Sequence, residues 1–195
     1  MQPRFSCQFH PVIKIEEDYQ ILDFTNYTST MQAPTHRITI GRYNEKRPFL
    51  YRHDMFSDQR HYHIGIDLGA PAGTLVHAFY DGEIYMLANH EKAGDYGPTI
   101  ITRHQPEGIE LFALHGHLSK ESLCSKSVGQ KIHQGEVIAY IGSENENGGW
   151  PPHVHFQLSY KAPNAPDMPG VVSEKDLEKA LAIYPDPRIV LGPIY

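Results

Sequence analysis

Between His61 and Tyr160 the chain is a succession of short apolar runs broken by Gly, Asn, Asp or Pro. The runs fall at 62–68, 74–79, 82–88, 98–104, 109–115, 137–141 and 153–160, and Val, Ile, Tyr, Phe and Thr dominate them. That composition and punctuation predict strands. Asp81-Gly82, between two of the runs, predicts a hairpin. Regular spacing of this kind predicts a mostly β fold, a small antiparallel sheet or a barrel-like sandwich. One helix is expected near the end, with Ser173 as N-cap and Glu174 to Ile183 behind it; Glu174 and Asp176 place negative charge in its first turn. The tail from Pro185 to Tyr195 reads as irregular and packed on the body. Residues 1–50 carry no clear period, apart from a possible strand at Arg37 to Ile40 and a loop at Asn44 to Arg47. The expected organisation is therefore an N-terminal extension, residues 1–50, packing on a domain of residues 51–195 that ends in the helix and tail.

The candidate chemistry lies in histidine motifs within the β region. In His63-Ile64-Gly65-Ile66-Asp67, the isoleucines alternate with His63, Gly65 and Asp67, which puts the polar groups on one strand face. A straight strand would separate His63 and Asp67 by roughly 13 Å, which two short side chains could barely bridge to share an ion. The segment must bend, which Gly65 makes easy, or His63 must precede the regular strand. His153 and His155 are simpler. Positions i and i+2 of a strand share a face, so one imidazole can bind metal while the other faces a substrate. Pro151 and Pro152 lack N–H donors, so this strand must begin after them. His115 and His117 repeat the spacing, which allows both onto the same face. Two imidazoles and a carboxylate, with a histidine to spare, suit a zinc site with three protein ligands and an open position. The chain holds 13 histidines, and most need another explanation. His10, His36, His53, His77, His90, His104 and His133 read as surface or structural residues, and His61 as a surface residue near the motif.

Composition narrows the partners. A formal net charge of -6 without a basic run argues against nucleic acid. No apolar run approaches a membrane span, and the first residues lack the long apolar stretch of a signal peptide, so the expected location is the cytoplasm. Cys7 and Cys124 make no disulfide framework.

The order and spacing of these motifs resemble the lysostaphin-type zinc metallopeptidases over roughly residues 60–160. The likeness rests on His63-Ile-Gly-Ile-Asp67-Leu, Pro71-Ala-Gly-Thr-Leu-Val76, Asp81-Gly82, Tyr96-Gly97, His117-Leu-Ser119, Gln134-Gly135-Glu136, Ile141-Gly142 and His153-Val-His155-Phe156. The resemblance implies a β fold with an active-site groove over the sheet. It implies His63, Asp67 and His155 as Zn2+ ligands, and His117 and His153 as the two catalytic histidines that do not bind the metal. It also implies cleavage of peptide bonds in bacterial cell-wall peptides. Asp95-Tyr-Gly-Pro-Thr-Ile-Ile101, His115-Gly-His-Leu-Ser119 and Gly148-Gly-Trp-Pro-Pro-His-Val-His-Phe-Gln157 look closest to versions of this domain fused to class III aminotransferases and small-molecule kinases. Wall-cleaving members often carry a tyrosine shortly before the first histidine; Ser57 and Asp58 stand there, with Tyr51 and Tyr62 nearby. The expected function is a zinc-dependent hydrolase acting on a peptidoglycan-type peptide or a related small amide. The alternative is a non-catalytic metal- or small-molecule-binding module on the same fold.

Overall fold

The computed structural model describes residues 3–15, 18–26, 37–51 and 60–195; His36, His53, Ser57 and Asp58 lie outside the described residues. The main sheet has eight strands. In chain order its members are β1 (Tyr19–Leu22), β2 (Ile38–Gly41), β5 (Ile66–Gly69), β7 (Gly82–His90), β8 (Gly97–His104), β9 (Leu111–Gly116), β10 (Lys131–Ile132) and β12 (His153–Ser159). Across the sheet they run β1-β2-β5-β12-β9-β8-β7-β10. All neighbours are antiparallel except β1 and β2. Two smaller sheets flank it: β6 (Leu75–His77) with β11 (Val137–Tyr140), and β4 (Tyr62–His63) between β3 (Glu45–Lys46) and β13 (Val171–Val172). Among the described residues, short helices α1 (Glu121–Cys124), α2 (Leu177–Ile183) and α3 (Arg188–Leu191) accompany the sheets. The fold is mostly β, as the spacing of the apolar runs implies.

Alternation along the central strands decides which face holds the core. On β12, Val154, Phe156 and Leu158 join the main apolar cluster, with Ile66 and Leu68 of β5 and Ile38 and Ile40 of β2. The intervening positions, His153 and His155 on β12, Asp67 on β5 and Thr39 and Gly41 on β2, face the other way, into a cleft. Val12 and Ile13 close the core from the N-terminal side, and Val190 and Ile194 from the C-terminal side. Among the described residues no helix is long and apolar enough to cross a membrane.

Several local expectations are corrected. The run 62–68 is two strands in different sheets, because the chain turns at Ile64-Gly65. Asp81-Gly82 forms no hairpin: β6 pairs with β11 and β7 with β8 and β10. Gly82 answers a packing need instead, since a Cβ there would lie 2.3 Å from the Arg103 carbonyl oxygen. Glu45–Lys46, read as loop, pairs with β4. The C-terminal helix begins with a 3-10 turn at Glu174–Asp176, and Ser173 Oγ donates to Asp176 Oδ2 at 2.6 Å rather than capping a backbone N–H. The tail holds the short helix α3.

Two core histidines make stability pH-dependent. His104 is held by Asp81 O and Thr102 Oγ1, and burial lowers its pKa to about 4. His115 is fully buried against Phe156, and burial lowers its pKa to about 3. Both are neutral when folded and charge near pH 6.5 when unfolded. Between pH 6.5 and about 4 the unfolded chain therefore binds more protons, so stability falls as pH falls. Each histidine should contribute a slope of about 1.4 kcal/mol per pH unit in that window. Urea unfolding at pH 7, 6 and 5, with chelator throughout, should show a shallower slope for His115→Leu than for the native chain. Equal slopes would contradict the assignment.

Candidate active site

His63 ends β4 and Asp67 lies inside β5, with Ile64-Gly65 turning the chain between them. This break resolves the strand-length problem, because the two side chains approach from different sheets. His155 lies directly across from Asp67 in the β12–β5 register. Three atoms converge: His63 Nε2 lies 3.1 Å from Asp67 Oδ1 and 3.0 Å from His155 Nδ1, and His155 Nδ1 lies 3.0 Å from Asp67 Oδ1.

The surrounding hydrogen bonds fix which ring nitrogens carry protons. His63 Nδ1–H donates to Arg42 O at 2.9 Å, which leaves Nε2 with a lone pair. His155 Nε2–H donates to Gln157 Oε1 at 3.1 Å, which leaves Nδ1 with a lone pair. Gln157 is itself oriented by donating to Pro169 O at 3.4 Å. Two lone pairs and a carboxylate oxygen thus point at one another with no proton between them. Such a triangle is repulsive unless a cation sits in it, and ligands on a tetrahedral zinc with bonds of about 2 Å lie at similar separations. The outer hydrogen bonds are of the kind that orient metal-binding histidines. These residues fit a divalent ion.

Charge around the triangle is strongly skewed. Burial alone would raise the Asp67 carboxyl, but the His63 imidazole, the Arg47 guanidinium and the close approach of His155 outweigh it and hold Asp67 well below the usual carboxylate range. Burial, reinforced by Arg47, lowers His63 to about 4. Asp67 therefore stays ionised and His63 neutral at neutral pH, the states in which they bind a cation.

His153 and His117 stand beside the triangle. His153 Nδ1–H donates to Pro151 O at 2.7 Å, so Nε2 bears a lone pair, 3.8 Å from Asp67 Oδ1. His117 Nδ1–H donates to Asn147 O at 2.8 Å, which leaves its Nε2 bare as well. The two rings lie 4.3 Å apart. Burial lowers the pKa of both, and their neighbouring imidazoles lower it further.

The route of His117 into the site departs from strand alternation. On β9, Gly116 lies opposite His155 and His115 opposite Phe156. His115 consequently faces the core, donates from Nδ1 to Ile100 O at 3.3 Å, and takes no part in the site, contrary to the spacing argument. His117 would also face inward if the strand continued. It does not: His117 adopts φ 62, in the left-handed region, with its N–H on Tyr96 O and its carbonyl accepting from Gly142 N. A non-glycine residue in that region is uncommon and often marks a functional position. His61 does not line the cleft.

The cleft has a volume of about 500 Å³, within the range of small-molecule and short-peptide sites. Leu22, Phe24 and Arg47, which carry no functional signal in the sequence, line the cleft together with Tyr51, Tyr96 and Trp150. Tyr51, not Tyr62, is the tyrosine that enters the cleft, with its ring 6.4 Å from Trp150. Burial raises its phenol to about 12.

The profile of peptidase family M23 matches residues 61–166, more than half of the chain, and the chain belongs to this family. The DD-carboxypeptidase/endopeptidase Mpg of Neisseria meningitidis serogroup B is 36% identical over 110 residues, 56% of this chain and 23% of that protein. The peptidoglycan DD-endopeptidase ShyA of Vibrio cholerae serotype O1 is 35% identical over 96 residues, 49% of this chain and 20% of that protein. The chain thus spans less than a quarter of the length of these curated relatives. The catalytic domain of lysostaphin from Staphylococcus simulans aligns with a TM-score of 0.49 at 23% identity, covering 73% of this chain and 92% of that domain.

Proposed function

We propose that the chain is a zinc-dependent hydrolase that cleaves an amide bond in a peptidoglycan-type peptide or a related small amide. The observation that carries the reading is the proton-free triangle of His63 Nε2, Asp67 Oδ1 and His155 Nδ1 beside two neutral imidazoles. His63, Asp67 and His155 would hold the ion. Bound there, zinc supplies Lewis acidity and makes water acidic enough to attack a carbonyl near neutral pH.

The chain's own groups then manage the protons. His153 and His117 each carry an open Nε2 and are neutral at pH 7, so either can take a proton from the attacking water. The imidazolium so formed, held through its Nδ1–H by a backbone carbonyl, can stabilise the tetrahedral oxyanion and return the proton to the leaving amine. Family membership and the relatives' activities support peptide cleavage.

The test is metal content together with hydrolysis. Protein purified without chelator should carry about one zinc per chain, and it should hydrolyse at least one member of a panel of stem peptides, cross-bridge peptides and small amides. Absence of any transition metal by elemental analysis would refute the site. One bound zinc with no turnover on the panel would instead favour a binding module.

A further inference from the structure

Asp67 presents its two oxygens to different partners. Oδ1 faces His63 and His155, while Oδ2 accepts from Arg47 Nη1 at 2.7 Å. Arg47 is 1% exposed. Its other donors are also engaged: Nε on Glu45 Oε2 at 2.8 Å, Nη1 on the Tyr51 hydroxyl at 3.1 Å, and Nη2 on Arg42 O at 3.3 Å. Its guanidinium lies 4.7 Å from the centre of the Phe24 ring. A guanidinium has five N–H donors, and with the partners above it has little left for a substrate carboxylate.

The surroundings are shaped to keep it there. Glu45 is 5% exposed and accepts from Arg47 on one oxygen and from Arg42 and the Phe24 N–H on the other. Gly41 lies opposite Asp67 in the β2–β5 register. A Cβ at Gly41 would come within 2.8 Å of Arg47 Nη2 and 3.0 Å of Asp67 Oδ2, so the bare Cα gives the guanidinium its room. Phe24, Gly41, Glu45 and Arg47 all precede the stretch matched by the family profile, which starts at residue 61.

We infer that Arg47, supplied by the N-terminal segment and braced by Glu45, is a positioning residue that holds Asp67 to one-oxygen ligation of the metal. Resting on the hydrolase reading above, this assigns the segment a role within the active site. With Oδ2 engaged, the carboxylate offers the ion a single oxygen, and the remaining coordination space stays open to water and substrate. Without the guanidinium, both oxygens can turn to the metal and fill that space. Outer hydrogen-bonding partners of this kind typically change metal affinity or activity by about 10–100-fold.

The test uses the cobalt-loaded 195-residue chain, whose visible spectrum reports coordination number without any substrate. Removing Arg47 alone leaves Glu45 buried with one partner fewer, so E45Q/R47M is compared with R47K, which keeps one donor for Oδ2. The expected result is folded E45Q/R47M that still binds one metal, with weaker cobalt absorption indicating higher coordination. Its kcat on any substrate of the panel should fall about 10–100-fold, while R47K stays nearer the native spectrum and rate. A folded E45Q/R47M with the native spectrum and unchanged chelator-competition affinity overturns the inference while leaving the hydrolase reading intact. Failure of R47K itself to fold also overturns it, since the role would then be purely structural. A native chain that binds neither zinc nor cobalt removes the hydrolase reading, and this inference with it.

Discussion

His155→Ala is expected to lose most zinc affinity, whereas His153→Ala and His117→Ala should retain the metal and lose turnover. The two β12 histidines lie side by side on one strand face, yet their geometry separates them. His155 Nδ1 lies 3.0 Å from both Asp67 Oδ1 and His63 Nε2. His153 Nε2 is 3.8 Å from the same carboxylate oxygen, outside the triangle and next to His117. Removing His155 leaves a two-ligand site. Removing His153 or His117 takes away a proposed proton-transfer group, and such groups typically contribute about 10² to 10⁴ in rate. Zinc content and hydrolysis rate of the three variants decide the matter. Equal zinc loss in His153→Ala and His155→Ala would make both ligands and undo the assignment. Full activity in both His153→Ala and His117→Ala would leave a metal site without the proposed proton chemistry.

What the sequence could and could not reveal follows from which contacts are local. His153 and His155 were readable because strand periodicity alone aligns them. His63 and Asp67 are readable as a pair from the resemblance, and Gly65 allows the bend that pairing needs; the change of sheet between them depends on β3 and β13, which lie outside the motif. His115 and His117 look equivalent in the chain, and a single left-handed residue at the strand end separates a core histidine from a cleft histidine. Arg47 and Glu45 gave no signal at all. They lie in a stretch without periodicity, and only the alignment of β2 beside β5 and of β3 beside β4 brings them to Asp67 and His63. Asp81-Gly82 shows the opposite error, a strong local turn signal that tertiary packing uses for a different end.

Gly65→Ala should be as damaging as loss of a ligand, although Gly65 binds nothing. Its backbone is not left-handed, so the requirement is space. A Cβ at this position would lie 2.5 Å from His155 Cε1 and 2.6 Å from Nε2, with the Phe156 carbonyl oxygen at 3.0 Å. The imidazole has little freedom to retreat. Its Nε2–H is held by Gln157, its other edge belongs to the triangle, and the Tyr96 ring lies 5.3 Å away between centroids. One added methyl group must therefore push His155 Nδ1 out of register with His63 and Asp67. Displacing a reacting group by about 1 Å can cost about 10²-fold in rate, and here the displaced group is also a proposed metal ligand. The expected outcome is a folded Gly65→Ala protein with zinc affinity reduced by at least about 10-fold and hydrolysis reduced by about 10². Chelator competition and thermal unfolding of the metal-free protein check it together. A variant that keeps native zinc affinity and rate would show that the ring can yield, and that the close approach of Gly65 to His155 does not set the site.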